Sequence, residues 1–373
     1  MLVMSSKSNT SQNLPIIGHI PKNWTVKKFR DILLNGVKNG IYKPKQYHGS
    51  GNKIVNMGEL FHNPRLFSIP MKRIRLNESE EERFCLQKHD LLFARRSLVA
   101  EGAGKCIIVM EVNEPTTFES SIIRARPDKN QVSSLYLYYL FKSVYGIHIL
   151  DTIRRQVAVA GITGTDLEKL EIPLPPLDEQ KSISKILNSL DQKIETNKQI
   201  NKNLTDIVDK LYTTWFVNFE IPNPYKESNN SNEKYQGKKI PTDWELSKFT
   251  NYCTLEYGWH LPEWDRIDGK YPVFGSGGLT GTHNKSLVPG PGIIVGRAGT
   301  IGPDSIYFSD NDFCPIETTY YVKARQELSA IYVFHLLKQL TIVNTGSSVP
   351  NLSRRDMHRL EIIIPPQVLV NKF

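Results

Sequence analysis

From position 183 to 215 the residues Ile183, Leu187, Leu190, Ile194, Asn197, Asn201, Leu204, Val208, Leu211 and Trp215 follow one another at alternating steps of four and three. A seam held for about four and a half heptads predicts one long helix of coiled-coil type. Pro175-Pro176 bar helix before it, and Pro222 stops any continuation. Asp178 offers an N-cap, although Lys181 stands where a capping box needs Glu or Gln. Gln180 to Trp215 is then expected to span about 54 Å at 1.5 Å per residue. Ile186, Ile200 and Ile207 broaden the apolar stripe, so the seam is expected to pack against another helix. Shorter patterns flank it. Asp90 to Ala94 and Gly292 to Val295 read as strands, and Ser133 to Phe141 and Leu328 to Leu337 as helices.

These flanking patterns belong to an internal repeat. Ile20-Pro21-x-x-Trp24-x-x-x-Lys28-Phe29 returns as Ile240-Pro241-x-x-Trp244-x-x-x-Lys248-Phe249. Glu119-Ser120-Ser121 matches Glu317-Thr318-Thr319, and Tyr136, Leu140 and Lys142 match Tyr332, Leu336 and Lys338. Both copies close alike, on Leu170-Glu171-Ile172-x-x-Pro175-Pro176 and Leu360-Glu361-Ile362-x-x-Pro365-Pro366. The order is kept while the second copy loses 30 residues from its interior, which describes a duplicated domain rather than a solenoid. The expected fold class is α+β, with two homologous mixed α/β domains separated by the long helix. The expected boundaries are a flexible N-terminus at 1–19, domain one at 20–176, the helix at 177–219, a linker at 220–239, domain two at 240–366 and a start of further helix at 367–373. The linker is inferred from the Asn, Ser, Lys and Glu richness of Pro222 to Lys239.

Charge changes this picture only once it is located. The chain has 373 residues and a formal net charge of +9. Domain one, Pro21 to Pro176, carries 24 basic and 16 acidic residues, and domain two, Ile240 to Pro366, carries eleven and thirteen. A uniform positive field therefore cannot bring both copies to a polyanion, and the second must rely on a few placed cations such as Lys285 and Arg297. With six basic and six acidic residues from Leu177 to Phe219, the neutral helix suits a protein partner better than a phosphate track. No apolar run approaches the roughly 18 residues of a membrane span, and the polar start lacks a signal-peptide core, so a cytoplasmic address is expected. The cysteines Cys85, Cys106, Cys253 and Cys314 form no C-x-x-C pair and are expected to be reduced packing residues, without a metal.

No complete catalytic or nucleotide-binding motif is present, so this chain is expected to bind no cofactor and to catalyse nothing. Gly102-Ala103-Gly104-Lys105 resembles the end of a phosphate loop, but Val99 replaces its first glycine and Cys106 its magnesium-binding hydroxyl. Recognition chemistry remains. Tyr42-Lys43-Pro44-Lys45-Gln46-Tyr47-His48 interleaves cations and aromatics, either as a nucleic-acid contact, with Tyr42, Lys43, Lys45 and Tyr47 as its contacts, or as a solvated loop. Arg95-Arg96 follow an apolar strand and could clamp phosphate or pair with a guanine edge. In the second copy, Arg297 stands among glycines, with Ser276, Gly278, His283 and Lys285 upstream, a pattern shared by contact loops and tight turns.

The repeated Ile-Pro-x-x-Trp start, the Leu-Glu-Ile-x-x-Pro-Pro close, Asp178-Glu179-Gln180 and the helix ending in Trp215-Phe216 resemble the specificity subunit of a type I DNA restriction-modification system over nearly the whole chain. Gly296 to Gly302 is similar to a loop frequent in the target recognition domains of that family. The resemblance implies a non-catalytic reader of double-stranded DNA, in which each repeat reads half of a bipartite site. It implies that the helix sets the spacer and docks two methyltransferase subunits. Those partners would perform adenine N6 methylation with S-adenosylmethionine, and a separate restriction subunit would use ATP and Mg to translocate and cut. Modification-only and type IIB-like complexes share the same module, and a coiled-coil interaction protein without selective DNA binding is the alternative class. The family pattern places a second long helix after the second Pro-Pro, where only Gln367 to Phe373 follow here. The exposed seam would then recruit a second copy or a methyltransferase helix, unless the product is inactive.

Overall fold

The computed structural model describes residues 13–97 other than 15 and 17, together with 102–155, 160–221, 230–235, 238–299, 302–325, 328–340 and 352–373. The chain divides into two compact units, Met1–Asn197 and Lys198–Phe373.

In the first unit the apolar runs Leu91–Ala94 and Cys106–Val109 are wholly buried, because both faces of their sheet are covered. Leu91, Phe93 and Ile108 face one core while Leu92, Ala94, Ile107 and Val109 face another, the two-residue alternation of a strand. The sheet runs in the order Leu33–Asn39, Ile122–Pro127, Leu91–Ala94, Cys106–Val109, Arg65–Leu66. A second sheet orders Thr116–Phe118, His48–Val55 and Arg73–Ile74. The second unit repeats both. Its larger sheet runs Cys253–Tyr257, Thr319–Ala324, Gly292–Gly296, Ile306–Ser309, and its smaller one Cys314–Pro315, Tyr271–Gly275, Gly278–His283. Among the described residues, the edge strand Arg65–Leu66 and the small pair Arg96–Ser97 with Ala160–Gly161 lack a counterpart.

The predicted short helices form as Ser134–Lys142 and Ala330–Gln339, with Ser133 and Ser329 accepting from the amides of Tyr136 and Tyr332. The hydroxyl of Tyr136 donates to the Pro173 carbonyl at 2.7 Å, and that of Tyr332 to the Ile363 carbonyl at 2.9 Å. Each tie joins the helix to the closing strand, Glu171–Leu174 or Glu361–Ile364, which pairs with Thr25–Lys28 or Glu245–Lys248. The structure also corrects the repeat by one residue. Strand register sets Ala94 opposite Ile122 and Gly296 opposite Thr319, so Ser121 corresponds to Thr318 rather than to Thr319.

The long helix is Leu177–Tyr212, 36 residues, three positions earlier than the heptad count places it. It begins directly behind Pro176, whose carbonyl accepts from the Gln180 amide at 3.0 Å. Asp178 thus lies in the first turn, where its charge meets the positive end of the helix dipole, and is not the cap. Trp215 lies beyond the regular helix in a wider π-type turn, Thr213–Val217, which buries Phe216 in the core of the second unit.

The helix meets the first unit mainly through a polar stripe, and of its apolar seam only the N-terminal end joins in. Gln180 accepts from the Ser133 amide at 2.9 Å, Asn188 from Arg65 Nη2 at 2.8 Å and Asp191 from the Tyr139 hydroxyl at 2.9 Å. Asp191 and Glu195 lie 3.7 and 3.4 Å from the Arg65 guanidinium, whose side chain is 3% exposed. A buried cation demands neutralisation, and the helix supplies one hydrogen bond and two nearby carboxylates. Of the seam, Ile183 packs on the first core and Trp215 on the second, and Val208 and Leu211 are half-buried. Leu190 and Ile194 are 56% and 52% exposed, and Leu187, Leu204, Ile186, Ile200 and Ile207 are exposed with them. Asn197 and Asn201 face solvent too.

Two other expectations change. Asn13–Leu14 pair with Gly18–His19 and Leu14 is buried in the first core, so the end of the expected flexible terminus is anchored. Asn230–Tyr235 pair with Lys238–Pro241, so the polar segment after the helix ends in a hairpin, while residues 222–229 lie outside the described set. Cys106, Cys253 and Cys314 are buried and Cys85 half-buried, all free thiols; burial pushes them up, Cys253 to about 12. Among the described residues no helix is long and apolar enough to cross a membrane, and no cluster of three or more His, Cys, Asp or Glu could hold a metal.

Candidate nucleic-acid interface

Arg95 and Arg297 occupy the same node of the two units. Each leaves a central strand. The Arg95 amide donates to the Ser121 carbonyl at 2.8 Å, its Nη1 to the Ser120 carbonyl at 3.2 Å, and its own carbonyl accepts from the Ile162 amide at 3.0 Å. Arg297 repeats this with Thr318 at 3.0 Å, Glu317 at 3.2 Å and Leu352 at 2.8 Å. Of the first pair, Arg96 is the exposed one, in the short strand Arg96–Ser97, while Arg95 is half-buried. Residues 300 and 301 of the glycine-rich loop lie outside the described set.

A second shared element is the loop behind the first sheet strand. Ile41 bridges Glu119 and Trp259 bridges Ile316. Just before each bridge stands a glycine, Gly40 or Gly258, where an added Cβ would lie 2.1 or 2.2 Å from a carbonyl oxygen of the crossing chain. Only glycine permits that approach. The loops then make matching three-residue turns, Lys45–Tyr47 behind Pro44 and Glu263–Asp265 behind Pro262. In the first unit this presents Tyr42, 80% exposed, with Lys45 and Tyr47. Tyr42 and Tyr47 border an open cleft of about 730 Å³ that Lys43 and Arg75 also line. Lys43 is committed elsewhere: its Nζ binds Glu80 at 2.5 Å and the Arg75 carbonyl at 3.0 Å, and lies 4.6 Å from the Tyr47 ring centre. The same contact holds the Glu80 carboxyl below its ordinary range. In the second unit the loop presents Trp264, 83% exposed, while Trp259 stacks on Tyr321 at 5.4 Å.

The remaining predicted residues scatter. Ser276 stands beside Gly296, next to Arg297, and its carbonyl accepts from the Tyr307 hydroxyl at 3.0 Å. Gly278 has φ +98° and packs against the Tyr307 ring, as a turn requires. His283 Nδ1 accepts from the Ile267 amide at 3.2 Å, and the Lys285 side chain is exposed. Lys105 of the phosphate-loop lookalike donates to the Phe61 carbonyl at 2.9 Å, a packing role.

Sequence reasoning missed a cleft of about 720 Å³ in the second unit, where Arg297 is joined by Lys248, Arg354, Arg355 and Arg359 around Tyr257 and Tyr320. The Arg297 guanidinium lies 5.0 and 5.6 Å from the two ring centres, and that of Arg354 5.6 Å from Tyr257. His358 on the same helix is neutral: its Nε2 accepts from the Leu255 amide at 3.0 Å, and burial, helped by Arg354, lowers its pKa. Trp264 carried little repeat signal, because of Pro262-Glu263-Trp264 only the proline matches Pro44-Lys45-Gln46, at an offset of 218 rather than 220. Arg354-Arg355 have no cationic counterpart in the first copy, where Gly164-Thr165 stand, and so leave no repeat signal.

The sequence pattern of the type I restriction modification DNA specificity domain matches residues 21–206 and 241–368. The chain is 25% identical over 390 residues to the type I restriction enzyme MjaIX specificity subunit of Methanocaldococcus jannaschii, covering 96% of this chain and 86% of the relative. It is 31% identical over 241 residues to the putative MjaX specificity subunit of the same organism, covering 63% of this chain and 54% of the relative. Among solved structures, the type I restriction-modification S subunit from M. genitalium is similar in fold, with a TM-score of 0.59 at 15% identity over 94% of this chain and 87% of that one. Two pattern matches fall on the two copies that the sheet order independently shows to be duplicates, and together they span most of the chain. The chain belongs to the type I restriction-modification specificity subunits, the non-catalytic DNA-specificity components of those complexes.

Proposed function

We propose that each unit reads one half of a bipartite site in double-stranded DNA, and that the helix Leu177–Tyr212 sets the spacer between the halves. The observation that carries this reading is the pairing of Arg95 with Arg297 and of the Pro44 loop with the Pro262 loop on duplicated sheets. Equivalent frames with different side chains at equivalent tips are what two base-reading surfaces of unlike preference require. Tyr42, Lys45, Tyr47 and Arg96 are the contacts in the first unit, and Trp264, Lys285 and Arg297 in the second. Lys43 braces the first loop, and Ser276, Gly278 and His283 shape the second surface.

The exposed apolar face of the helix is the docking surface for methyltransferase subunits, since contiguous apolar surface on a helix is costly in water. The restriction subunit joins through them, and S-adenosylmethionine, ATP and Mg act in those partners. Co-expression with the cognate methyltransferase, followed by sequencing for modified adenines, tests this reading. A motif of two defined halves around an unread spacer is expected. A continuous motif, or unselective modification, contradicts it.

A further inference from the structure

Domain two has a net charge of −2, yet five of its eleven cations line the cleft around Tyr257 and Tyr320. The fold collects them from three places. Lys248 ends the strand Glu245–Lys248, Arg297 follows the strand Gly292–Gly296, and Arg354, Arg355 and Arg359 come from the helix Arg354–Arg359. No lining residue is acidic. Arg354 is held by Glu256 at 3.2 Å and by the Tyr257 ring. Among the described residues no carboxylate lies within 4 Å of Lys248, Arg355 or Arg359, and all three are exposed.

The first unit shows that the scaffold does not need two of these charges. Its matching helix, Gly164–Glu168, is capped by Thr163 as Arg354–Arg359 is by Ser353. Glu168 accepts from the Val37 amide at 2.8 Å, as His358 accepts from the Leu255 amide. Where the second unit has Arg354, Arg355 and His358, the first has Gly164, Thr165 and Glu168, whereas Lys248, Arg297 and Arg359 correspond to Lys28, Arg95 and Lys169. The same local fold thus stands without Arg354 and Arg355, and crowding them beside Lys248, Arg297 and Arg359 adds like-charge repulsion that an anion would relieve. Guanidinium forks steadied on tyrosine faces, in an open cleft, suit oxygens of a polyanion rather than an enclosed small ligand.

We propose that this cleft clamps the phosphodiester backbone of duplex DNA and anchors the second unit independently of sequence, leaving base reading to the Trp264 loop and its neighbours. The inference rests on the DNA-reading function proposed above. Its test uses the assembled methyltransferase complex carrying R355Q and R359Q, titrated with cognate and noncognate duplexes over a range of KCl concentrations. Affinity for both duplexes should fall by the same factor, on the order of tenfold, and the plot of log affinity against log salt should flatten by about two units. The methylated motif should stay the same, and R355K with R359K should restore the slope. An unchanged slope, or a loss confined to the cognate duplex with one base of the motif relaxed, overturns the clamp. A wild-type complex that binds both duplexes alike overturns the DNA-reading function, while the salt slope of the variants still decides the clamp.

Discussion

His335 is enclosed between the helix end and the second core, with Nδ1 2.8 Å from Asp209 and its ring stacked on Tyr212 at 5.7 Å. Burial lowers its pKa below the ordinary 6.5; Asp209 opposes that shift and the nearby Lys338 adds to it. A folded state that resists protonation binds fewer protons than the unfolded chain once the pH falls below 6.5. Stability contributed by His335 is therefore complete above that value and lost on acidification. The denaturation midpoint of the second unit should fall between about pH 7.5 and pH 5.5, less steeply in His335→Gln. A midpoint that rises on acidification contradicts this assignment. Legibility at this scale was uneven. Arg297 stood out because glycines surround it, and Arg95 because it leaves an apolar strand. Lys43 looked as free as Lys45, because a sequence does not show that Glu80, thirty-seven positions on, claims one of them.

At the scale of elements, the long helix was the most legible feature, while its contact with the first unit was not legible. Its heptad seam predicted its existence and length, since no other structure satisfies such spacing. The face that packs on the first unit is polar, and nothing in a hydrophobic pattern can signal a stripe selected by one buried arginine. The second unit grips the helix end by aromatic packing: Phe216 lies 5.0 Å from Tyr332, 5.9 Å from Trp244 and 5.3 Å from Phe373, ring centre to ring centre. Phe216→Ala should cost about 3–5 kcal/mol, read by denaturant unfolding of the second unit. A cost below about 1 kcal/mol would mean that the turn repacks. Deleting residues 198–204 removes one heptad between the Glu195 and Asp209 anchors. The helix shortens by about 10.5 Å, and the recognised spacer should shorten by about three base pairs. An unaltered spacer in the methylation map contradicts the ruler.

Across the whole molecule, duplication explains more than composition does. A net charge of +9 suggested a polyanionic partner, but nearly all of it lies in the first copy. The second gathers five of its eleven cations in one cleft and adds Arg354 and Arg355 where the first has Gly164 and Thr165. Repeat motifs were visible at both ends of each copy because packing tryptophans, tyrosines and Pro-Pro pairs tolerate little change. The reading tips diverged, as surfaces of different preference must, and this is why Trp264 and the arginine cleft escaped notice. If the two units read independently, exchanging residues 240–366 for the corresponding domain of a relative should alter one half of the methylated motif and leave the other half intact. A map in which both halves change, or neither, would contradict the central claim that this chain reads DNA as two separate halves.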